Sequence, residues 1–259
     1  MEISIVGIVL GLLLLAVPVY LVYKFRLGLL DQTLVAVVKQ IAFLSVLGVC
    51  LYYVYKFDSV PLNIVFVILM AAVSGVLTAR RGRIRQARFV VPVVVGVLFS
   101  ALVVGLYFLF FVVGAKNPFG VRYLIPVLGL LMGCMTEVNA KALSTYYMGL
   151  AYHHQLYDYL TGNGASHEEA VRYFVRKALV RSFTPSLSRM AYVLVGTTPV
   201  MLWALLLAGV GVVAAVELQI MVTIACFSAS VLSLAVTLLV ARRYSFDEYS
   251  RLTSPKPRG

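Results

Sequence analysis

Charge is what this chain has least of. Asp, Glu, Lys and Arg together make up 12% of its 259 residues, and only ten residues are acidic. Soluble chains carry about 25% charge, so this shortage argues against a fold built for water on all sides. Histidine is equally scarce, at three. Two of these, His153 and His154, are neighbours, and on a helix they point about 100° apart and cannot easily share one metal ion. The three cysteines, Cys50, Cys134 and Cys226, fall in separate apolar runs with no metal or redox spacing between them. They read as small packed hydrophobes. The chain has no paired intramembrane acids, no H-E-x-x-H and no G-x-S-x-G, so hydrolytic chemistry has no support and no residue is assigned a catalytic role. It has no Gly-Lys dipeptide either, which excludes a Walker A loop. If ATP drives this protein, another subunit binds it, and no cofactor is expected here.

What fills the space is apolar: hydrophobic residues reach 62%, against about 45–50% in soluble domains. The pattern predicts an all-α polytopic membrane protein, a single transmembrane domain over residues 1–259. Seven spans are expected: Ile3–Tyr23, Leu34–Tyr55, Val60–Ala79, Phe89–Val113, one starting near Val121, Leu187–Val212 and Val216–Ala241. The first lacks a basic leader and a small-residue cleavage site, so it reads as a retained anchor. The fifth has a short apolar part before Glu137 and is expected to continue as a helix out of the membrane. Nineteen of the 22 Lys and Arg residues fall on one side of this arrangement; only Lys56, Lys116 and Arg122 fall on the other. The positive-inside rule then places the N-terminus outside and the C-terminus in the cytosol of a cell (inner or plasma) membrane. Anionic lipid headgroups account for the net charge of +12, so no nucleic-acid partner is needed. A short polar tail, about 244–259, closes the chain.

The one long segment outside the membrane runs over about 152–189. Gly162 and Gly164 can take positive φ, which lets a descending helix stop and the chain reverse. Ser166 with Glu169 three residues on is a capping box that starts a new helix. Val171, Phe174 and Ala178 form its apolar line, and Ser182-Phe183-Thr184-Pro185 is expected to break it. Such a short amphipathic helix suits docking to a soluble partner, and equally suits lying on lipid headgroups.

Within the spans, few residues carry chemistry. Lys39 either lines a pathway or snorkels to the interface. Glu137 either pairs with a cation or marks the water boundary. Gly129 and Gly133, four apart, permit close helix packing. Thr197, Thr198 and Pro199 fall near mid-membrane, where a broken helix can line a substrate path or simply kink. Met201, Met135 and Cys134 offer sulfur ligands. Glu217 is a gate or ordinary compensation of a helix dipole.

Several of these stretches resemble one family. Ile125-Pro126 with Gly129 and Gly133, Gly164-Ala165-Ser166 with Ala170, the Pro199-Val200-Met201 region through Ala208-Gly209, and Gln219-Ile220-Met221-Val222 are similar to the FetB-like iron-export ABC transporter permeases, relatives of plant aluminium-tolerance half-transporters. The resemblance departs at Val200–Ala204, where the family has P-G-M-M-x-G from the proline on, and at Gly133–Thr136, where it has G-N-A-M. It implies a permease subunit that moves a metal ion, iron foremost, as a homodimer with a separate ABC ATPase. Gly162, Gly164, Ala165, Ser166, Glu169 and Ala170 would then couple to the ATPase, and Lys39, Glu137, Thr197, Thr198, Pro199 and Met201 would line the pathway. A secondary ion-coupled carrier and a non-transporting membrane adaptor are the alternatives.

Overall fold

The computed structural model describes residues 13–25, 28–82, 90–191 and 200–245, and these are helical with no strand among them. Five of their helices are long and apolar enough to cross a membrane: Leu30–Phe57, Val60–Arg81, Val90–Val112, Val121–Leu150 and Val212–Ala241. The protein is therefore a multi-pass membrane protein. Two further expected spans, Ile3–Tyr23 and Leu187–Val212, run through residues 3–12 and 192–199, outside the described residues.

The chain forms two compact units, Met1–Phe57 and Asp58–Gly259. The first holds α1 (Ala16–Lys24) and α2 (Leu30–Phe57), in which Val54 is the buried residue of the long helix. A helix apolar on every face and exposed along its length is at home in lipid. Lys39 is exposed on α2, about 13 Å along it from Leu30 at 1.5 Å per residue.

In the second unit α3 (Val60–Arg81) is followed by α4 (Val90–Tyr107), which runs into one wider π turn over Phe108–Val112. Next come α5 (Val121–Tyr152), α6 (His154–Gly162) and α7 (His167–Ala191). The short α8 (Val200–Leu207) and the long α9 (Val212–Ser245) complete it. The long α5 packs against α3, α4, α7 and α9, and its Leu128, Met135, Leu143, Tyr146 and Leu150 are in the buried core. Lipid supplies no hydrophobic drive between helices, so close approach and hydrogen bonds hold them. Gly96 lets α4 lie against α9: a Cβ there would stand 2.8 Å from the Ser233 carbonyl oxygen and collide with the Thr237 hydroxyl. Asn139 donates to the Ser233 hydroxyl at 2.8 Å, tying α5 to α9, and the Ser74 and Thr136 hydroxyls bond at 2.7 Å between α3 and α5.

Both ends of the bundle are legible. At one, the Asp58 carboxylate accepts the Val121 amide hydrogen at 3.0 Å and so caps α5. At the other lie Arg81, Lys141, Lys177 and Arg181. The basic end is where α5 runs out of apolar sequence and α6 and α7 are carried.

Three expectations need correction. Pro185 does not break the helix, since α7 continues through it to Ala191. Its missing N–H deprives only the Arg181 carbonyl, while the hydroxyls of Ser182, Thr184 and Ser188 bond back to carbonyls four residues earlier and stay satisfied within the helix. The short docking helix is thus the first part of a 25-residue one. Gly162 ends α6 without a positive φ; Gly164 alone in that turn has one, +88°. Gly129 packs closely, with the Met70 methyl 2.8 Å from where its Cβ would be, but Gly133 has nothing within 4 Å and faces a groove instead.

Candidate functional site

The turn after α6 is stapled on both sides. The Ala165 N–H donates to the Leu160 carbonyl at 3.0 Å and the Gly164 N–H to the Thr161 carbonyl at 3.2 Å. This pair of bonds is the Schellman arrangement, which needs a left-handed residue at Gly164. The Asn163 side chain adds a bond to the Tyr159 carbonyl at 2.8 Å. The predicted capping box follows at once: the Glu169 carboxylate accepts from the Ser166 amide and hydroxyl, each at 2.9 Å, and the Ser166 hydroxyl accepts the Glu169 amide at 3.3 Å. The Ser166 amide bond first, then its hydroxyl, holds the Glu169 carboxyl below its ordinary pKa. Ala170, Val171, Phe174 and Ala178 are buried, with Phe174 seated on Gly149 of α5. Gly162, Gly164, Ser166 and Glu169 are exposed and Ala165 is half-buried. The turn is rigid, outward-facing and anchored by the helix behind it. Beside it an open groove of about 610 Å³ runs between α7 and the last turns of α9, with Arg172, Val175 and Leu179 facing Leu238 and Leu239.

A second groove, about 490 Å³, lies within the thickness of the bundle between α5, α7, α8 and α9. Cys134 and Glu137 enter it from α5, Met201 from α8, and Gln219, Thr223, Cys226 and Ser230 from α9. The Cys134 and Cys226 thiols lie close to each other in it. Their depths agree: each is about 20 Å along its helix from the end opposite the basic one. Gln219 binds α8 to α9, its Oε1 accepting the Leu202 amide at 3.2 Å and its Nε2 donating to Thr223 at 3.1 Å. Glu137 pairs with Lys141 one turn on at 3.4 Å.

The structure therefore brings together Glu137, Met201 and Cys134, while Met135 is fully buried in the core and faces no groove. Thr197, Thr198 and Pro199 lie outside the described residues, immediately before Val200 at the groove's edge. Glu217 is exposed near the start of α9. Reading the cysteines as unrelated missed the pairing of Cys134 with Cys226, which are distant in sequence. A signal for it was present: Gln219, Thr223, Cys226 and Ser230 recur at i, i+4, i+7 and i+11, a polar stripe along one face of the helix. No group of three or more His, Cys, Asp or Glu residues able to hold a metal ion occurs among the described residues.

A family profile described as "Uncharacterised protein family (UPF0014)" matches residues 5–246. Protein ALUMINUM SENSITIVE 3 of Arabidopsis thaliana is 24% identical over 215 residues, which cover 82% of this chain and 76% of that protein. UPF0014 membrane protein STAR2 of Oryza sativa subsp. japonica is 25% identical over 222 residues, covering 84% of this chain and 75% of that one. No solved structure matches the chain significantly.

Proposed function

The chain belongs to the UPF0014 family, that of the FetB-like permeases, and from that premise we propose that it is the permease half of an ABC transporter that exports a metal ion, iron foremost. Two copies form the pathway, and each docks a separate ATPase from the cytosolic side of the cell membrane. The observation that carries this reading is the groove lined by Cys134, Cys226 and Met201 together with Glu137, Gln219 and Thr223, which offers both sulfur and oxygen donors. A mixed sulfur and oxygen set suits a borderline divalent cation such as Fe²⁺. A cargo site must bind and then release, so a loose mixed set fits a pathway better than a closed cluster would. Thr197, Thr198 and Pro199, which directly precede Val200 in the chain, are assigned to the pathway. The docking surface is the rigid turn Gly162–Ala170 with the groove beside it. Glu137 is the one carboxylate in the intramembrane groove, which favours an ATP-driven permease over an ion-coupled carrier.

The test uses vesicles holding this chain with its ATPase. ATP-dependent Fe²⁺ flux should fall at least about tenfold in Cys134→Ala with Cys226→Ala and in Glu137→Gln, a loss of about 1.4 kcal/mol in the barrier-determining interaction. ATPase co-purification should stay as in the parent. Full flux in both variants would remove the groove from the pathway.

A further inference from the structure

The basic end of the bundle holds a further cavity, which shares Glu137 with the intramembrane groove. It measures about 660 Å³, within the range of small-molecule sites. Its cations come from three helices: Arg81 ends α3, Lys141 is on α5, and Lys177 and Arg181 are one turn apart on α7. Glu137 is the carboxylate in its wall, and Lys141 lies 3.4 Å from it. Arg81, Lys177 and Arg181 therefore gather around one hollow, where like charges repel unless an anion sits among them.

Depth identifies the anion. Helix α3 advances about 31 Å from Val60 to Arg81, and α5 about 30 Å from Val121 to Lys141, at 1.5 Å per residue. The hydrocarbon layer is about 30 Å thick. Both cations thus reach the level where lipid phosphates lie. We propose that this cavity binds the phosphate headgroup of an anionic phospholipid, whose negative charge offsets part of the repulsion among the three cations and holds α7 against α3 and α5.

The full chain, purified in neutral detergent, is tested with phosphatidylglycerol, phosphatidylcholine and inorganic phosphate, with retained lipid read by native mass spectrometry. Phosphatidylglycerol should be retained, phosphatidylcholine should not, and millimolar inorganic phosphate should fail to displace it. Lys177→Gln with Arg181→Gln should weaken retention more than tenfold, since each basic residue near a lipid surface contributes about fivefold. Arg80→Gln with Arg176→Gln removes the same charge outside the cavity and should change retention less than threefold. Lys177→Arg with Arg181→Lys keeps the charge and should bind as the parent does, so a folding defect in the neutral pair is recognised by its size-exclusion profile against this one. Equal loss in both neutral pairs, retention of phosphatidylcholine, or displacement by inorganic phosphate would each overturn the proposal. So would a cavity pair that loses only ATPase co-purification, which would assign the surface to a protein partner.

Discussion

At the scale of single residues, Glu169 shows what a surface carboxylate does for a helix start. Its pKa is lowered chiefly by the Ser166 amide bond. A depressed carboxyl pKa contributes stability that is present above the unfolded value and is lost as pH falls through the folded one. Amide protection over residues 167–171, corrected for intrinsic exchange, should therefore drop as pH falls below the ordinary glutamate range. Glu169→Gln should abolish that pH dependence, and a wild-type response in it would assign the effect elsewhere. Ser166→Ala removes the cap itself and should cost about 1 kcal/mol locally, seen as roughly fivefold faster exchange in the first turn. This pair was legible in advance, because capping is local chemistry written over four positions. The Cys134–Cys226 contact was not, because it joins α5 to α9 and depends on how two helices are rotated.

The elements show the same division. The Ser166–Ala178 stretch follows a helical apolar period, and the structure buries Ala170, Val171, Phe174 and Ala178 as that period requires. Its far end was misread, since a proline usually stops a helix but here sits in one whose neighbouring carbonyls are bonded by Ser and Thr hydroxyls. Pro185→Ala would return an N–H to the Arg181 carbonyl; it should leave the fold intact and raise, not lower, thermal stability in detergent. Gly164 tests the turn. Its Cβ position meets nothing within 4 Å, so any effect of substitution comes from φ +88° alone. Gly164→Val should cost roughly 1–2 kcal/mol or more, and Gly164→Asn much less. The valine variant should still insert but lose ATPase co-purification, with the asparagine variant near normal. Equal co-purification in both would make the turn a connector only.

Across the whole molecule, the long α5 fixes what must protrude. Its 32 residues rise about 48 Å, more than the roughly 40–45 Å of a bilayer with its headgroups. One end therefore leaves the membrane, and it is the end that carries α6, the stapled turn and the start of α7. The all-helical membrane class and the protruding fifth helix followed from composition and periodicity, which report what a helix is solvated by. Which polar residues converge did not follow, because that depends on crossing geometry. The positive-inside rule, applied to the basic asymmetry of the loops, predicts that the protruding end is cytosolic. Lys116, beyond the other end of α4, and Glu168, in the capped turn, are both exposed and mark the two faces. In a background with Cys50, Cys134 and Cys226 replaced by alanine, Lys116→Cys should react with a membrane-impermeant maleimide added to intact cells. Glu168→Cys should react only after the membrane is opened. Labelling of both from the same face would break the alternation of α4 and α5 across the membrane, and with it the assignment of the capped turn to the ATPase side.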